Sequence, residues 1–61
     1  MKVAVINKTE FQQFIDTGGV GLPEDIVPIA PKEKLILEFD NEKVFIKNVK
    51  KFKDKLIIRK I

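Results

Sequence analysis

Residues 34–47 read KLILEFDNEKVFIK, and the way this stretch is divided decides the fold. Two apolar triplets, Leu35-Ile36-Leu37 and Val44-Phe45-Ile46, flank the polar cluster Asp40-Asn41-Glu42-Lys43. Branched and aromatic residues bounded by turn formers predict two strands joined by a tight turn, with Asn41 tolerating a positive φ. With Asn41 and Glu42 as the loop, Phe39 faces Val44 and Leu37 faces Ile46 on one apolar surface. The opposite surface then carries Ile36 and Phe45. The ribbon is apolar on both sides, so each side needs a cover.

The same plan, a lysine, three apolar residues and a charge, returns in Lys55-Leu56-Ile57-Ile58-Arg59. After a turn at Lys53-Asp54 this predicts a third strand and hence an antiparallel meander. Upstream, Lys2–Ile6 reads as a short buried strand. Thr9-Glu10-Phe11-Gln12 fits a capping box, and Phe11, Phe14 and Ile15 fall on one helical face. Local signals thus predict a helix of at most two turns, stopped at Gly18-Gly19. Residues 17–33 hold all three glycines and all three prolines. They predict a structured loop with one helical turn opening at Pro23. Loops of this length in so small a domain are often functional. Its apolar Val20, Leu22, Ile26 and Ile29 are candidates for docking a protein partner. The expected class is α+β, mostly β: one domain over residues 1–61, with a small meander, one short helix and a long Gly/Pro loop.

Sixty-one residues leave no room for a second core. Apolar residues make up 44% and charged residues 34%, so the chain is too apolar for a disordered tail. A domain this small, with no disulfide, gains from self-association, and a homodimer is expected. The run Val3–Ile6 is too short for a leader, and no window approaches the ~18 apolar residues of a membrane span. The cytoplasm is the default compartment.

The net charge of +3 hides a split. Residues 1–42 carry four lysines against eight acids, and residues 43–61 carry eight basic residues against Asp54 alone. A cationic C-terminal third attracts phosphates or an acidic partner. Lys47, Lys50, Lys51, Lys53, Lys55, Arg59 and Lys60 are the candidate nucleic-acid contacts. Phe52, between two lysines, is a candidate base-stacking residue.

Catalysis is not expected. The chain has no His, Cys, Ser, Tyr or Trp, which removes the usual nucleophile–base pairs and thiolate metal sites. Glu24-Asp25 is the only adjacent carboxylate pair, and it reads as helix-start acids at a Pro turn. Gly18-Gly19-Val20-Gly21 lacks the spacing and the Lys-Ser/Thr of a phosphate loop. No cofactor and no metal are expected.

Gly18-Gly19-Val20-Gly21-Leu22-Pro23-Glu24-Asp25-Ile26 resembles the AbrB/MazE-like swapped-hairpin family: Gly, alternating apolar residues, Pro, any residue, an acid, an apolar residue. Ile29-Ala30 and residues 32–46 are similar to that family's second half, so the likeness covers about residues 14–47. It implies a domain-swapped homodimer whose hairpins share a β-barrel, with residues 11–16 as strand. It also implies a DNA-binding transcription regulator or antitoxin, with duplex DNA and a toxin as partners. Where the family has Arg after the first Gly this chain has Gly19, and Gln12 and Gln13 stand near its usual basic strand residues. No family DNA contact therefore carries over, and the C-terminal lysines take that role.

Overall fold

Val3 and Val5 are fully buried, and the strand that holds them is the centre of the molecule. In the computed structural model, which describes residues 1–61, this strand is β1 (Lys2–Asn7). It is followed by β2 (Gln13–Asp16), a 3₁₀ turn (Pro23–Asp25), β3 (Ile26–Ile29) and β4 (Lys34–Glu38). The helix α1 (Glu42–Lys51) and the strand β5 (Leu56–Lys60) complete the chain. β1 pairs antiparallel with β4 on one side, Val3 opposite Leu37, and with β5 on the other, Val5 opposite Ile58. β2 and β3 form a separate two-stranded ladder with Ile15 opposite Val27.

Alternation along β1 sorts the three-stranded sheet into two faces. Val3, Val5 and Asn7 point inward with Leu35, Leu37, Leu56 and Ile58, which lie opposite them in the register. Ile15, Ile29, Phe39, Val44 and Phe52 close over them as one core with Leu56. Each such buried side chain contributes about 1.5–3 kcal/mol of transfer free energy. Asn7 is the polar exception, with no exposed surface. Its Nδ2 donates to the carbonyls of Phe11 (2.8 Å) and Ile29 (2.9 Å), and its Oδ1 accepts the Thr9 N–H (2.9 Å). One side chain thus ties β1 to the following loop and to β3.

The α+β, mostly β class stands, but the meander does not. Residues 43–47 are helix rather than strand, because Asn41 caps the helix instead of turning a hairpin: its Oδ1 accepts the Val44 N–H at 3.1 Å. Val44, Asn48 and Phe52 then repeat every four residues against the core. That helical spacing overrides the β preference of Val44-Phe45-Ile46. β4 and β5 accordingly flank β1, not each other.

The segment 9–16 departs from the local helix signal. The Thr9 hydroxyl lies 2.7 Å from Asn7 Oδ1 and accepts the Phe11 N–H at 3.2 Å, so it serves the loop and caps nothing. Gln13–Asp16 is strand, which sends Ile15 inward and leaves Phe14 exposed. The Gly/Pro segment is likewise no single loop, since β3 runs through it with Pro28 in the ladder opposite Phe14. Pro23 opens one helical turn as expected. The two sheets stay open and do not close into a barrel.

Candidate nucleic-acid interface

α1 is held by charges as well as by its cap. Glu42 lies in its first turn and Lys50 and Lys51 in its last, each complementing the helix dipole. With Val44 and Asn48 anchored inward, the positions at about 100° per residue set the outer face. Lys50, Lys43, Lys47 and Lys51 fall within an arc of roughly 100° that runs from that face round the flank beside Val44, along roughly 12 Å of helix axis. All four are exposed and none is paired with a carboxylate. Lys47 Nζ lies 3.5 Å from the Gly19 carbonyl, and Lys51 Nζ sits 5.3 Å from the centre of the Phe52 ring. Lys53 and Lys55, exposed in the turn after the helix, extend the positive charge past its C-terminal end.

The structure therefore gathers Lys47, Lys50 and Lys51 and adds Lys43, a helix residue rather than part of a hairpin turn. It separates the other two predicted contacts. Lys60 is drawn to Glu42 at 2.9 Å and lies 5.5 Å from the centre of the Phe45 ring, on the flank away from the stripe. Arg59 stands opposite Ala4 on the outer face of the sheet. Phe52 is buried in the core, so it offers no ring for stacking on a base.

The glycine loop borders α1. Asp16 accepts the N–H groups of Gly18 (3.1 Å), Gly19 (2.9 Å) and Gly21 (2.7 Å). The Gly21 bond, with those of Gly19 and Gly18 and the charge of Lys47, holds its carboxyl below the usual range, against the opposing effect of desolvation. Asp25 is pushed up, first by desolvation and then by Asp40, Glu24 and Asp16. Asn48 Nδ2 donates to the carbonyls of Asp16 (3.2 Å) and Val44 (2.9 Å), fastening the loop to the helix. Gly19, at φ +80°, packs so close that an added Cβ would lie 2.9 Å from Val44 Cγ2.

Of the residues expected to dock a partner, Val20 (75% exposed), Leu22 and Ile26 do lie on the surface. Ile29 does not: it has no exposed surface and belongs to the core. Phe14, 56% exposed, shares the outer side of the β2–β3 ladder with Ile26.

No helix is long and apolar enough to cross a membrane. Comparison with protein-family models, with curated proteins and with solved structures finds no match.

Proposed function

We propose that this chain is a non-catalytic, cytoplasmic DNA-binding regulator of antitoxin-like type that grips duplex phosphates with the lysine stripe of α1. The supporting observation is the stripe itself: four exposed, unpaired lysines on one helical arc, continued by Lys53 and Lys55. Phosphate contacts of this kind supply affinity and salt dependence but carry no sequence information. The one amide on α1, Asn48, is buried and occupied, so base reading by the helix is limited.

A gel shift with duplex DNA at low salt tests this reading. K47E/K50E/K51E abolishes the shift while the far-ultraviolet spectrum stays that of the folded chain. Unchanged affinity in that variant refutes the assigned surface.

A second reading rests on the exposed apolar group Phe14, Val20, Leu22 and Ile26, which fits a protein partner such as a toxin. The two surfaces are separable. F14D/I26D releases a co-purifying protein and leaves DNA binding intact if both readings hold.

A further inference from the structure

The three-stranded sheet ends in two edges of opposite character. β5 forms one edge, and its two charged residues, Arg59 and Lys60, are both cationic, so two copies of that edge offer each other no complementary charge. The N–H of Leu56, at its start, is already bonded to the Phe52 carbonyl at 2.8 Å. β4 forms the other edge: no further strand pairs with it, and Lys34, Ile36 and Glu38 are exposed.

The phase of the β1–β4 ladder shows what β4 offers. Met1 and Phe39 exchange both main-chain bonds at 2.8 Å, and the Asn7 N–H donates to the Glu33 carbonyl at 3.0 Å. Leu35 and Leu37 therefore turn their main-chain groups toward β1. Lys34, Ile36 and Glu38 turn theirs outward, where no neighbouring strand receives them. Unpaired edge groups of this kind are a template for another strand.

The sequence of that edge, Lys34-Leu35-Ile36-Leu37-Glu38, is symmetric in shape and opposite in charge about its centre. We infer that the occupant of this edge is a second copy of the chain, joined by antiparallel β4–β4 pairing on a two-fold axis at Ile36. In that register all three outward-facing residues meet outward-facing residues. Ile36 lies opposite the partner's Ile36, and Lys34 opposite the partner's Glu38. Such a contact is isologous and closes on itself. It turns two three-stranded sheets into one of six strands.

The charges suit this arrangement. Glu38 already receives the Met1 amino group on Oε2, which leaves Oε1 for the lysine across the axis. Burial suits it too. Ile36 is 56% exposed, the most exposed of the large apolar residues within the three strands of this sheet. It stands on the outer face with Ala4, Ile6 and Ile57, so pairing extends that apolar strip across the axis.

The test is the mass of the free chain by sedimentation equilibrium, without nucleic acid, from micromolar to millimolar concentration. The wild type approaches twice 7.0 kDa. I36P removes an outward N–H, which edge positions tolerate, together with the Ile36 side chain, and returns the mass to one chain with strand signal retained. K34E or E38K alone places like charges opposite each other twice and weakens association about 30-fold. An equimolar mixture of the two single variants associates again, because each then meets its complement, and K34E/E38K behaves as wild type. A folded wild type that stays at one mass throughout overturns the inference, as does a dimer indifferent to I36P and K34E, or a mixture that fails to associate. None of these outcomes bears on the lysine stripe, since no nucleic acid is present.

Discussion

Replacing Asn7 by Ala removes the side chain that ties β1 to the following loop and to β3. The Ile29 carbonyl loses its bond in a buried setting, which costs about 1–3 kcal/mol. The bonds to the Phe11 carbonyl and from the Thr9 N–H are half-buried, and water replaces them in part at about 0.5–1 kcal/mol each. The expected loss is about 3 kcal/mol. A chain of this size has about 3–9 kcal/mol in all, so N7A loses a third or more of its stability. Urea denaturation followed by far-ultraviolet circular dichroism suits a chain without Trp or Tyr. The urea midpoint of N7A falls by at least about a third of the wild-type value, and Tm drops by about 12–24 °C. N7D is worse at neutral pH, since it sets a carboxylate against two carbonyls, and it recovers in acid as that carboxyl is protonated. A midpoint for N7A within about 0.5 kcal/mol of wild type refutes the role given to this residue.

Other outcomes follow from the glycine loop and the helix cap. Asp16 has a lowered pKa, so its contribution is present above the ordinary carboxylate range and lost as pH falls through its folded value. Asp25 has a raised pKa and works in the opposite sense, costing stability as pH rises through the carboxylate range. Tm against pH therefore shows D16N flattening the acid loss, while D25N raises Tm at pH 7. G19A costs about 2 kcal/mol, from a positive φ and the clash with Val44, whereas G21A, with φ +78° and open space around it, costs about 1 kcal/mol. Paired denaturation curves check that order. N41A costs about 1 kcal/mol through loss of the cap and reduces the helical signal.

The strands that sequence alone made legible are those whose branched residues have no competing period. Lys2–Asn7, Lys34–Glu38 and Leu56–Lys60 appear within a residue of their expected bounds. The stretch 41–51 misled because two signals overlap in it. Val44-Phe45-Ile46 favours strand locally, while Asn41 as cap, the Val44–Asn48–Phe52 spacing and Lys50-Lys51 at the end favour helix over a longer window. The longer window wins, because only the helix buries Val44 and Phe52 together. Thr9 misled in the opposite direction: its hydroxyl was already committed to the loop at Asn7, a long-range demand invisible in the local pattern. The basic region was legible as composition, but its sorting was not. Whether a lysine joins the stripe or turns to Glu42, as Lys60 does, depends on a helix that the local β preference of Val44-Phe45-Ile46 conceals.

The salt dependence of duplex DNA binding, measured by anisotropy, tests the central claim most directly. Four lysines on phosphates give a slope of about −3.5 for log affinity against log salt, or about a hundredfold loss for a fourfold rise in salt. K50A shallows that slope by about one, and R59A, on the other face of the sheet, leaves it unchanged. A slope near zero, or one that R59A shifts and K50A does not, contradicts the account.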